Sequence, residues 1–337
     1  MNRQLPSSNK IPCISYMRIT SMLLIIFFHS LCFYAGTWWF LGSEIVPLWK
    51  FLAPPVVKTG LIIFVFISGF LYGYLYIKKE KYRNSHSLLI NKGRHLLIPY
   101  FIWGCFMIFA FPQLKFSWTN LLTGIAHLWF LFMIFWHFLI IVLLEKAIRI
   151  SKSPLIVDIV VTLISFSFFY LWESHSAHHY FLCLEDTFYY LPSFIVGYYT
   201  AKHLPLDNTR NIKKTAIVTS IFLIACLFIA SYFNYPTSST IYRIPTILLA
   251  VNSLFLFPNT NSPSKWKKVL NNLDKNSMGI YIFNQIVVFF LLYQATPFFM
   301  THLYSGPFII FILSFFIPWG FSVLFNSTKY FSWINGK

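Results

Sequence analysis

Apolar runs of about twenty residues recur along this sequence almost from end to end. A helix rises about 1.5 Å per residue, so roughly 20 apolar residues cross the ~30 Å hydrocarbon core of a bilayer. Ten runs approach that length, at about 17–36, 54–77, 95–112, 126–144, 154–172, 187–201, 214–233, 240–258, 277–296 and 305–326. They are continuous and do not alternate with period two, which argues against a membrane β-barrel. Charged residues make up 10% of the chain, against about 25% in soluble domains, and mean hydropathy is +0.65. The expectation is an all-α, polytopic integral membrane protein of about ten transmembrane helices. It forms one membrane-embedded domain over residues 1–337.

The net charge is +17, and its placement orients the chain. Of the 26 Lys and Arg residues, 22 fall at the N-terminus, in 78–94, 145–153, 202–214 and 265–275, and at the C-terminus. Lys50, Lys58, Lys115 and Arg243 fall on the other side. Basic loops stay in the cytoplasm, so both termini are expected there and the number of crossings is even. No basic patch interleaves with a polar surface, so nucleic acid is not an expected partner. No loop approaches domain size, and the chemistry must lie within or against the membrane. The internal repeat of many transporters is not evident. The five cysteines, Cys13, Cys32, Cys105, Cys183 and Cys226, form no CxxC pair and read as small buried hydrophobes. Polar and aromatic residues follow the first run, so it reads as a span and not as a cleaved signal peptide.

Within "RITSMLLIIFFHS", Arg18 opens the apolar run and His29 sits eleven residues later. Eleven residues turn a helix through about 1100°, three turns plus ~20°, which places both on one face and about 16 Å apart. Ionisable groups inside a span are costly and usually face the protein interior or a wet cavity. Taken singly, Arg18 reads as an anchor snorkelling to phosphates, and His29 as a core histidine bonded to a carbonyl. As a pair they suit an anion site and a proton carrier.

Other polar groups lie along the spans. Ser68 sits deep in "FVFISGFLYGY", where Gly69 and Gly73 have the spacing of a close helix contact. Lys92, Arg94 and His95 precede Pro99 in "NKGRHLLIPYF", and Pro99 is expected to kink or start the third helix. The basic group is either topology alone or an inner-face anion site shared with Arg18. His127 and Trp129 open the fourth span, where Trp129 also suits an interfacial belt. Tyr281, Asn284 and Gln285 in "SMGIYIFNQIV" are buried groups that suit interhelical hydrogen bonds. His175, His178 and His179 lie near carboxylates, but their spacing matches no zinc pattern and no metal is expected. Arg243 opens the eighth span, where contact with an anionic lipid or glycan and the absence of any role are both open.

Taken in order, these segments resemble the acyltransferase-3 family of bacterial integral-membrane acyltransferases. The motifs are "YMRITSMLLIIFFH", "LIIFVFISGFL", "GRHLLIPYF", "HLWFL", "YYLPSFIVGYY" and "SMGIYIFNQ". Two positions depart from the pattern. Ile90 stands where relatives often carry the first arginine of an RxxxR pair ending at Arg94, and Asn284 stands at about the place of a common histidine. The resemblance implies acyl transfer, usually of acetyl from acetyl-CoA, to a sugar hydroxyl of a surface polysaccharide or glycolipid, in the bacterial cytoplasmic membrane. On that reading Arg18, Lys92 and Arg94 hold the donor's phosphates, and His29 and Arg18 are catalytic. His127, Trp129, Ser68, Tyr281 and Asn284 border the acceptor. A glycan or glycolipid exporter is the alternative.

Overall fold

A computed structural model describes residues 11–38, 45–82, 84–151, 153, 154–173, 181–203, 210–236, 239–257 and 265–327. It is helical and, among the described residues, contains no strand. The helices are α1 (Pro12–Leu31), α2 (Pro47–Gly73), α3 (Ser85–Ala110), the single turn α4 (Asn120–Thr123), α5 (Trp129–Ile150) and α6 (Pro154–Glu173). They continue with α7 (Leu184–His203), α8 (Arg210–Tyr232), α9 (Thr240–Leu256), α10 (Lys265–Gln294), the short α11 (Thr296–Thr301) and α12 (Gly306–Ser327). A long helix coincides with each of the ten apolar runs. Seven stretches are long and apolar enough to cross a membrane. The other three long helices are α6, α7 and α9. Helix α7 carries Glu185, Asp186, Lys202 and His203 at its ends and packs deep in the bundle, so its sequence has less need of apolar residues.

Helix ends differ from the apolar boundaries, because charge ends an apolar run without ending a helix. Helix α3 begins at Ser85, where Asn84 Oδ1 accepts the Ser87 N–H at 3.1 Å, an N-cap. Pro99 therefore lies inside α3 and neither starts it nor marks its boundary. Lys92, Arg94 and His95 are helical, not loop, residues. Helix α10 likewise starts at Lys265, so Asp274 and Lys275 are on it. At the other end of the chain α1 starts and stops five residues before its expected span. Phe33 to Gly36 form a turn beyond it, closed by Gly36 at φ +71°.

Helix α2 is the hub, in contact with α1, α7, α8 and α9. Its approach to α7 is backbone on backbone. A Cβ at Gly69 would overlap the Phe194 carbonyl, and one at Gly197 would overlap that of Phe66. This supports reading Gly69 and Gly73 as a packing face. Helix α1 is tied to α2 by Ser21, whose hydroxyl donates to the Gly60 carbonyl at 2.5 Å. The outward faces of α6, α8 and α12 carry exposed Ile, Leu, Phe and Val, as lipid-facing surfaces do.

Two of the cations that break the charge asymmetry are inside the bundle. Lys58 Nζ donates to the Tyr189 hydroxyl at 2.8 Å. The Arg243 guanidinium lies 3.2 Å from the centroid of the same ring, and Arg243 is 3% exposed. Arg243 is thus an internal residue of the bundle and not an exposed end of the eighth span. Cation–π contact of this kind offsets part of the cost of burying charge.

Candidate active site

Both Arg18 and His29 reach α10. Arg18 Nη1 pairs with Asp274 Oδ1 at 2.5 Å, with Arg18 25% and Asp274 6% exposed. Ser15 Oγ donates to the other carboxylate oxygen at 3.0 Å. His29 Nδ1 meets Asn284 Oδ1 at 2.6 Å. The two contacts are eleven residues apart on α1 and ten on α10, so the helices run parallel and their rises match. The expected shared face exists, and α10 covers it.

At the His29 end a second histidine joins. The His29 and His127 rings are 5.7 Å apart, edge to face at 76°, and are 7% and 4% exposed. His127 is not inside a long helix. It lies on the tight turn Ala126–Leu128 that leads into α5, after Ala126 at φ +45°. An L residue at positive φ is uncommon and marks a constrained site. The turn leaves the His127 N–H without a helical partner, and Gln285 Oε1 accepts it at 2.7 Å. The Tyr281 hydroxyl donates to the His127 carbonyl. His127 Nε2 meets the Ile282 carbonyl at 2.9 Å. Trp38 lies against His29 with ring centroids 6.2 Å apart.

At the Arg18 end two cavities adjoin. One of about 610 Å³ is walled by Arg18, Lys81, Lys92, His95, Asp274 and Lys275, among others. The other, about 240 Å³, runs from Arg18 and Lys92 past Ser68 into a wall of Phe, Leu and Ile. Arg18, Tyr82, Lys92, Phe64 and Met278 line both. Burial raises the Tyr82 phenol above its ordinary range, so it stays a neutral donor. Lys92 Nζ rests 4.1 Å from the Phe138 ring centroid. The combined shape is a cationic mouth leading to an apolar pocket.

His29 and His127 line neither cavity. Between them stands a row of rings. Phe64 meets Phe130 edge-on at 5.4 Å, Phe130 meets Tyr281 at 5.5 Å, and Tyr281 meets His127 at 5.1 Å.

The expected site residues thus separate into places. Arg18, Lys92 and Ser68 share the 240 Å³ cavity, although the Ser68 hydroxyl is turned back onto the Phe64 carbonyl at 3.1 Å. Arg94 is exposed and lines neither cavity. It is two residues from Lys92, which turns it about 200° to the far side of α3. Tyr281 and Asn284 stand behind the histidines and bond to them. Trp129 stacks on Tyr190 at 5.8 Å and 27°. Asp274 and Trp38 do not figure among the expected residues. Asp274 had a signal, being one of only nine acidic residues and close to the start of a span. His175, His178 and His179 lie outside the described residues. Among the described residues no three His, Cys, Asp or Glu side chains gather as metal ligands would.

Compared with known families, residues 11–327 match a family model described as an acyltransferase domain. No curated protein matches, and no solved structure does.

Proposed function

The chain belongs to the acyltransferase-3 family, and on that premise we propose that it moves acetyl from cytoplasmic acetyl-CoA to a sugar hydroxyl of a surface polysaccharide or glycolipid. The proposed setting is the bacterial cytoplasmic membrane, with ten crossings and both termini inside. The parallel run of α1 and α10, the first and ninth long helices, supports that alternation. One observation carries the reading: a cationic cavity and a buried histidine pair lie at the two ends of one face of α1.

The donor's phosphates suit the mouth, where Arg18, Lys81, Lys92 and Lys275 supply positive charge. The pantetheine arm suits the apolar pocket, and the ~16 Å from Arg18 to His29 is within its extended reach once the row of Phe64, Phe130 and Tyr281 parts to admit it. His29 then takes the proton of the sugar hydroxyl as the oxygen attacks the thioester carbonyl. The C–S bond breaks, and the departing thiolate takes that proton from the imidazolium. A base in this role is worth about 10²–10⁴-fold in rate. The alternative in which His29 first accepts the acyl group uses the same geometry. Asp274 neutralises one charge of the mouth and fixes the direction of Arg18.

The test is NMR of surface polysaccharide from cells holding equal membrane levels of wild type or His29→Ala. Loss of O-acyl signals in the variant alone supports the transferase. Unchanged acylation with altered glycan export would support an exporter instead.

A further inference from the structure

The hydrogen bonds behind the two histidines have a chemical direction. Asn284 Nδ2 donates to the Ser314 carbonyl on α12 at 3.1 Å. A carbonyl only accepts, so this bond fixes which end of the amide is nitrogen. Asn284 Oδ1 is then the atom 2.6 Å from His29 Nδ1, and it too only accepts. His29 Nδ1 must carry the proton, and Nε2 is left with its lone pair. Among the described residues His29 Nε2 has no hydrogen-bond partner.

The same logic applies to His127 with the nitrogens exchanged. Its Nε2 faces the Ile282 carbonyl at 2.9 Å and must donate. Its Nδ1 keeps the lone pair, and that atom is buried without a hydrogen-bond partner. Neither ring has a proton left to give the other, although they lie 5.7 Å apart. Buried polar atoms are nearly always satisfied, so the bare His127 Nδ1, on a ring 5.7 Å from that of His29, calls for an external donor. A hydroxyl is such a donor. Among the described residues no carboxylate or ammonium bonds to either ring, and the titratable groups next to them are each other and Tyr281, which contacts His127.

We propose that α10 sets the tautomers of both histidines, Asn284 acting as the positioning residue for His29, so that the pair presents two bare nitrogens to the hydroxyl of an incoming acceptor. This rests on the transferase reading for its consequence in catalysis, but not for the tautomers themselves. It also gives Asn284 a second role: each end of its amide is bonded to the protein, which holds it in place to orient the base. An amide suits that role because its oxygen fixes the proton on Nδ1 without adding the charge that would hold His29 as an imidazolium.

The experiment uses the full chain in lipid nanodiscs with ¹⁵N-labelled histidine. Two-bond ¹H–¹⁵N correlations distinguish an Nδ1–H ring from an Nε2–H ring. The expected result is Nδ1–H for His29 and Nε2–H for His127 in the wild type. The reverse assignment for His29 overturns the proposal, whatever the activity. Asn284→Leu should mix the His29 tautomers and lower kcat about tenfold or more, the equivalent of one lost hydrogen bond, with KM for acetyl-CoA unchanged. Asn284→Asp should restore Nδ1–H and move the acid limb of the kcat profile to higher pH, because a carboxylate stabilises the imidazolium. A raised KM with unchanged tautomers in Asn284→Leu would refute the positioning role. The expected tautomers in a protein that acylates no glycan would instead refute the transferase reading and leave this one standing.

Discussion

Lys92 and Arg94 are two residues apart on α3, yet the structure puts them in different places. Lys92 lines both the 610 Å³ and the 240 Å³ cavities, whereas Arg94 is exposed and lines neither. The informative substitution is Lys92→Met, which keeps an unbranched apolar stem against Phe138 and removes only the charge. Two unit charges 4 Å apart interact by about 1 kcal/mol in water and about 4 kcal/mol at an effective dielectric of 20. Lys92 is half-buried at the junction of the two cavities, so the lower part of that range applies. A loss of about 1–2 kcal/mol weakens acetyl-CoA binding roughly 5- to 30-fold. Arg94→Gln removes an equal charge from the outer side of the helix and should change binding by about twofold or less. Binding is measured calorimetrically on the purified protein in nanodiscs. The Lys92 effect should shrink between 0.1 and 1 M salt, as the screening length falls from about 10 Å to about 3 Å. Equal losses from both variants, or a loss from Arg94→Gln alone, would refute the assignment of the phosphate site to the cavity.

Two further outcomes follow from contacts away from the mouth. Gly69→Ala places a methyl group on the Phe194 carbonyl, so α2 and α7 must separate; the expected cost is about 1–3 kcal/mol, read as a lower apparent melting temperature in detergent, and an unchanged melt would contradict the close approach. Phe130→Ala removes the ring between Phe64 and Tyr281 and should let water reach the thioester, so acceptor-independent release of free CoA thiol should rise; no rise would mean that this row of rings is not the barrier between cavity and histidines.

Much of the fold was legible because its signals are local. Apolar length finds a span wherever the lipid faces it. Helix ends were harder, since Ser85 and Lys265 begin helices well before their apolar runs start. A backbone can satisfy its own hydrogen bonds through charged turns, so polarity does not mark the end. The pairing of Arg18 with His29 was legible for the same local reason: their relation is fixed by helix geometry within one segment. That geometry also separates Lys92 from Arg94, a constraint their shared basic motif conceals.

By itself, then, the sequence determined an all-helical membrane protein with an arginine and a histidine on one face of its first helix. Only the tertiary structure decided what that face meets. Asp274 reaches Arg18 from 256 residues away, and Asn284 reaches His29 from 255 residues away. His127 joins them from a strained turn at the head of a different helix. Such contacts depend on which helices pack together and at what height. A helical period shows which residues share a face, but which neighbour fills that face is settled by packing across the whole bundle.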